Sequence, residues 1–208
     1  MCIWGRNVRI CESLQRGVGV HQRLLEVLPP PAWRLDLTEI EGLDYLAYPD
    51  GCILEAQELA ARRFGAGRSW FLVNGSTGGI QAAVMATCRP GTSLVLPRNC
   101  HLSVFNAMVH SGAWPEWVEP DYDSDWEVAT GVTAEAVEAA LMRARAANRP
   151  AGAVILVRPT YFGTAVDITG IAACCRRWGV PLLTDEAHGA HLGLAPGLCP
   201  SALQQGKR

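Results

Sequence analysis

The stretch Pro181-Leu182-Leu183-Thr184-Asp185-Glu186-Ala187-His188-Gly189-Ala190-His191 changes character midway. With Val180 ahead of it, its first part reads as a buried strand over residues 180–184. The rest crowds an acid pair and two histidines among small residues. Buried polar groups are costly unless something is bonded or bound there. An apolar strand ending in a polar cluster is what an open parallel α/β sheet presents at its carboxyl edge, where ligands bind.

The same change recurs upstream. WFLV (70–73) runs into NGSTGG, SLVLP (93–97) into RNCH, and AVILV (153–157) into RPTYFG. Each apolar run reads as a strand. Between them the apolar spacing turns helical, over residues 52–64, 79–88, 101–112, 132–147 and 167–178. Gly65 ends the first helix. Thr133 opens the fourth with an imperfect capping box, because Ala136 stands where Glu or Gln is wanted. Asp167 is the expected cap of the fifth. WPEWVEP (114–120) reads as an edge strand because its prolines cannot donate to a ladder. Strand–helix alternation predicts an α/β fold with a mostly parallel sheet and helices on both faces. Residues 1–34, interrupted by Pro29-Pro30-Pro31, read as an irregular N-terminal segment, and residues 35–208 as one domain.

Composition narrows the function classes. A chain of 208 residues that is 49% hydrophobic and 18% charged builds a core and is not disordered. A net charge of −2 gives no electrostatic basis for binding nucleic acid or an anionic membrane. No apolar run reaches the length of a membrane span. Residues 1–25 are Arg-rich, faintly like an organelle transit peptide, but lack its Ser-rich character, so the cytoplasm is the expected location. The 8 cysteines form no CxxC pair, which favours reduced thiols over a zinc ribbon or a disulfide scaffold. Of 18 basic residues only Lys207 is a lysine.

Each strand end admits more than one reading. NGSTGG combines Gly75, Gly78 and Gly79 with the hydroxyls of Ser76 and Thr77 at a helix start, which suits a phosphate or ordinary capping. His101 opens a helix, where an imidazole stacks on an aromatic ligand, exchanges protons or simply caps. Asp185, His188 and His191 could hold a metal, since His-x-x-His fits one helical turn. They could also form a solvated loop. In a third reading Asp185 faces the ring nitrogen of pyridoxal phosphate, where a carboxylate favours the protonated form. The protonated ring then withdraws electrons from the substrate Cα.

The segments LDLTEIEGLDYLAYPDG with EAQELAARRFGA, then FLVNGSTGG, PRNCHLSV, PTYFG with the following Asp167, and PLLTDEAHGAH together resemble the ornithine/lysine/arginine decarboxylases, fold-type-I pyridoxal-phosphate enzymes. The likeness runs over about residues 35–206. It implies decarboxylation of a basic amino acid (arginine, lysine or ornithine) to an amine, in a homodimer. It places Gly75, Ser76 and Thr77 on the cofactor phosphate, His101 over the pyridine ring, Asp185 at the ring nitrogen and His188 beside the cofactor. His101, Asp185 and His188 are then the catalytic candidates, and Thr160 faces the same site. No metal is implied. Leu102 stands where relatives often carry Lys.

A larger departure concerns the lysine that links the cofactor in this family. It follows the Asp185 position by about thirty residues in an S-x-H-K segment, whereas Lys207 follows by only 22 and has no such context. The resemblance therefore implies an inactive fragment of a decarboxylase. A non-catalytic paralogue that binds a full-length subunit is the alternative, and a metal-dependent hydrolase a more distant one. The resemblance also places two later strands between WFLV and the strand before DEAHGAH, so residues 70–73 are expected to pair with no strand from 93–184.

Overall fold

The computed structural model describes residues 43–206. The expected boundary at residue 34, the proline run, the Arg-rich stretch and Lys207 lie outside the described residues. The described chain divides into two compact units between Leu59 and Ala60.

In the first unit a single carboxylate organises the backbone. Asp44 accepts hydrogen bonds from the N–H groups of Tyr45, Asp50, Gly51, Ile53 and Leu54, at 2.6–3.3 Å. The last two belong to the first turn of helix α1 (Cys52–Phe64), whose amides have no partner within the helix. Burial raises the Asp44 pKa, but the amides of Asp50, Tyr45, Ile53 and Gly51 outweigh it and hold the carboxyl at about 2.

The second unit holds a four-stranded parallel sheet. Its strands are β1 (Ser93–Pro97), β2 (Trp114–Val118), β5 (Ala151–Val157) and β6 (Leu182–Asp185), in the order β2-β1-β5-β6. A small antiparallel pair, β3 (Tyr122–Asp123) and β4 (Val128–Ala129), forms a hairpin that the sequence pattern did not announce. The helices are α2 (Gly75–Thr87), α3 (Leu102–Ser111), α4 (Ala134–Ala146), α5 (Thr169–Trp178) and a short α6 (Ala202–Gly206).

Both faces of the sheet are covered, as expected. Strand residues alternate between faces. Leu94, Leu96, Ala153 and Ile155 pack with Val84 and Cys88 at the α2 end and with Val104 and Ala107 of α3. Val95, Val154 and Leu156 pack on the other face with Val137 and Leu141 of α4 and with Ile171, Cys174 and Cys175 of α5. Burial of each such Val, Leu or Ile stabilises by roughly 1.5–3 kcal/mol. That is why β1 and β5 read as continuous apolar runs: a parallel strand covered twice has no polar face.

Several boundaries move for local reasons. Thr133 caps α4, its Oγ1 accepting from Ala136 N at 3.1 Å. Asp167 accepts from Thr169 N and Oγ1 at 2.9 and 2.7 Å, but helix α5 begins at Thr169 with Ile168 as its N-cap residue. Helix α2 begins four residues before the expected Gly79, so the NGSTGG residues form its first turn rather than a loop. WPEWV lies at the sheet edge, as its proline requires.

One expected strand is absent. Residues 70–73 form no strand, and Trp70, Phe71, Leu72 and Val73 are 61%, 44%, 52% and 81% exposed. A strand exists only where a neighbour completes its ladder. Among the described residues, the four parallel strands pair only with one another, and 70–73 adds to neither edge. The accompanying expectation, that 70–73 pairs with no strand from 93–184, agrees with this arrangement. Among the described residues Cys52, Cys88, Cys100, Cys174, Cys175 and Cys199 are free thiols. No helix among the described residues is long and apolar enough to cross a membrane.

Candidate functional site

Three segments converge at the carboxyl ends of the strands: the α2 start, the β1–α3 turn and the turn after β6. Between them lies a cleft of about 470 Å³, lined by Ser76, Thr77, Asn99, Cys100, His101, Leu102, Tyr161, Asp185 and His188, among others. Its size suits a small organic ligand.

Gly75 opens α2 at φ 62°, left-handed geometry that a side chain would strain. Asn74, the N-cap residue, makes no side-chain cap bond. Neither the Ser76 nor the Thr77 hydroxyl is engaged with another described residue. The helix start therefore presents free donors at the positive end of its dipole, which is an anion-binding arrangement.

His101 both caps and faces the cleft. Its Nδ1 accepts from Ser103 N at 3.1 Å and lies 2.8 Å from Ser103 Oγ. Using Nδ1 for the cap fixes the ring and leaves its face and Nε2 to the cleft. The capping reading is met by Nδ1, and the same residue lines the cleft.

Asp185 ends β6 and is 9% exposed. Its Oδ1 accepts from Ala187 N at 3.0 Å, and no basic side chain among the described residues pairs with it. A buried carboxylate without a counter-charge favours a cation in the cleft. Cys100 lies beside it. Burial first, and the Asp185 charge second, push the Cys100 thiol up to about 12. It stays protonated and is not a nucleophile at neutral pH.

His188 lines the cleft edge-on to Tyr161, with ring centroids 5.7 Å apart at 89°. Gly189 permits this turn. A Cβ there would lie 2.7 Å from Pro159 Cδ and 3.2 Å from the Arg158 carbonyl oxygen. Among the described residues no three His, Cys, Asp or Glu side chains cluster as metal ligands, so Asp185, His188 and His191 do not form a donor set.

Thr160 is not brought to the cleft. It is 4% exposed, and its Oγ1 accepts from Thr164 N at 3.3 Å within its own turn. Its neighbour Tyr161 lines the cleft instead. The sequence carried a usable signal for this, an aromatic one residue further past a strand end. It carried none for Cys100, which only burial identifies.

Residues 19–206 match the model of the Orn/Lys/Arg decarboxylase major domain. An uncharacterised protein of Bacillus subtilis, YaaO, is 43% identical over 176 residues, covering 85% of this chain and 36% of that protein. An arginine decarboxylase of the same organism is 38% identical over 192 residues, covering 92% of this chain and 38% of that enzyme. The chain thus spans little more than a third of the length of these curated relatives. Among solved structures, Escherichia coli constitutive lysine decarboxylase aligns at a TM-score of 0.55 and 22% identity, over 65% of this chain and 20% of that one. A chain of the SepCysS–SepCysE N-terminal domain complex aligns at 0.58 and 17%, over 70% and 38%. These structural likenesses establish a shared fold, a mostly parallel sheet with helices on both faces.

Proposed function

The chain belongs to the Orn/Lys/Arg decarboxylase family, and from that premise we propose that its cleft binds pyridoxal 5'-phosphate for the decarboxylation of a basic amino acid: arginine, lysine or ornithine. The supporting observation is that Ser76, Thr77, His101, Asp185 and His188 line one cleft with their charges and donors in complementary places. The residues fit the cofactor on their own chemistry. Free donors at the α2 start suit its phosphate, and the unpaired Asp185 carboxylate suits a protonated pyridine nitrogen.

In this reading Gly75, Ser76 and Thr77 hold the phosphate through backbone amides and hydroxyls. His101 lies against the ring, held by Ser103. Asp185 keeps the ring nitrogen protonated, and Ala187 N fixes the carboxylate in place. His188 and Tyr161 close the side of the cleft. Thr160 acts at one remove, by setting the turn that presents Tyr161. When bound, the cofactor would supply an electron-withdrawing ring, the electron sink that decarboxylation requires. A homodimer in the cytoplasm, with residues 35–208 as the cofactor-binding domain, belongs to the same proposal.

Equilibrium dialysis of the purified chain against pyridoxamine 5'-phosphate tests it, because that ligand needs no linking lysine. Saturable binding that Asp185→Ala weakens about tenfold, the size of one charge-assisted hydrogen bond, is the expected result. Binding that Asp185→Ala leaves unchanged would remove the reading.

A further inference from the structure

Arg158 is the largest fully buried side chain among the described residues, at 1% exposure. A buried guanidinium is tolerated only when its charge and its donors are both satisfied. Its Nε donates to the Val166 carbonyl oxygen at 2.8 Å, and its Nη1 to Glu186 Oε1 at 2.9 Å. The same Glu186 oxygen accepts from Ala202 N at 2.8 Å. The Arg158 backbone N–H donates to the Asp185 carbonyl oxygen at 2.9 Å.

This residue meets two consecutive acidic residues in different ways, Glu186 through its guanidinium and Asp185 through its backbone N–H. Arg158 follows β5, and Val157 is registered against Asp185 of β6. Successive side chains along an extended strand point to opposite faces. Asp185 lines the cleft and Glu186 lines a hollow on the α5 and α6 side with Ile168, Ala172 and Ala202, while both border a third hollow beside Ser76 and Ile80. The side-chain ion pair goes to Glu186, and Arg158 meets Asp185 only through the backbone.

We propose that Glu186 is a positioning residue: it holds the Arg158 guanidinium on the far face, which keeps the Asp185 carboxylate out of an internal ion pair and available to a cation in the cleft. The inference rests on the cofactor reading above and deepens it. A glutamine at 186 could accept the same hydrogen bond but not balance the charge. The guanidinium would then be buried without a counter-ion, on a residue whose backbone N–H is already hydrogen-bonded to Asp185. Removing both charges would leave Asp185 as free as it is now, since apolar replacement of a buried pair is often well tolerated.

The test uses the full chain with ¹⁵N-labelled pyridoxamine 5'-phosphate as probe. Affinity is read by dialysis and ring-nitrogen protonation by the ¹⁵N chemical shift, with thermal melting in parallel. Glu186→Gln is expected to weaken binding about tenfold and to move the ring nitrogen towards its unprotonated signal. The double variant Arg158→Met/Glu186→Leu is expected to bind within about twofold of the parent, the scatter of independent sites. Parent-like affinity and shift in Glu186→Gln would overturn the inference, as would a double variant no better than the single one. If Glu186→Gln does not fold, the double variant decides alone: retained binding supports the inference and lost binding overturns it. A parent chain that fails to bind the probe would instead defeat the cofactor reading itself.

Discussion

Residues 70–73 (WFLV) and 153–157 (AVILV) are both short apolar runs ahead of a polar turn, yet they end in opposite environments. AVILV lies in β5, paired on both sides by β1 and β6 and covered by helices on both faces. WFLV is exposed along its whole length and pairs with nothing among the described residues. The difference is not hydrophobicity. A strand is a property of a chain segment and its neighbours together, because its N–H and C=O groups need partners. A central parallel strand is stabilised by two ladders and two packed faces, whereas the same residues without a ladder remain an extended segment.

The sharpest way to break this comparison is truncation at matched positions. Ile155→Ala, at 1% exposure, is expected to destabilise the chain by about 2–5 kcal/mol. Val73→Ala is expected to change stability by less than about 0.5 kcal/mol. Urea unfolding of both variants measures this. Comparable losses would mean that 70–73 is buried in solution.

Glycine substitutions sharpen it next. A Cβ at Gly152 in β5 would lie 2.6 Å from the Thr87 carbonyl oxygen and 3.0 Å from Cys88 Sγ. That backbone oxygen cannot move aside, so Gly152→Ala should cost about 1–3 kcal/mol. At Gly79 the nearest atom is Leu72 Cδ1 at 2.8 Å, the end of a flexible and exposed side chain. Gly79→Ala should therefore be neutral or gain up to about 1 kcal/mol from helix propensity. Thermal melting of the pair gives the sign directly.

Thiol labelling extends the contrast to chemistry. Burial, and then the charge of Asp185 or Cys174, pushes Cys100 and Cys175 up to about 12. At about pH 8 iodoacetamide should modify the exposed Cys52 and Cys199 and spare the half-buried Cys100 and the buried Cys175. These raised values also have a sign for stability. Both thiols favour the folded chain fully below the ordinary value of 9.0, and that contribution declines as pH rises from there towards 12. Rapid modification of Cys100 in the folded chain would show the cleft to be open to water at its base.

The smallest effect concerns a segment that satisfies its backbone by a third route, neither ladder nor open solvent. Asp44 replaces a ladder with one carboxylate for residues 45–54. Its pKa is depressed to about 2 from 3.8, so its contribution is present above 3.8 and lost as pH falls through about 2. Amide exchange at Gly51 and Ile53 should accelerate over that window, and Asp44→Asn should remove the pH dependence. An unchanged profile in Asp44→Asn would show that other groups hold this turn.

The local periodicity of the sequence determined that strands and helices alternate, where β1 and β5 run, and that polar clusters follow the strands. Each of those features is written in consecutive residues: apolar runs for twice-covered strands, Thr133 for a cap, prolines for an edge. Ser76, Thr77, His101 and Asp185 were legible as candidates for the same reason, since each stands at or just after the end of a short apolar run. Only the tertiary structure decided which apolar runs became strands, because pairing depends on segments far apart in the chain. It also decided that Tyr161 rather than Thr160 faces the cleft, since the Thr160–Thr164 turn closes on itself. The division of labour between Asp185 and Glu186 was equally hidden. The two acids are adjacent in sequence, and only the packing of Arg158 against one of them separates a carboxylate that faces the cleft from one bound within the protein.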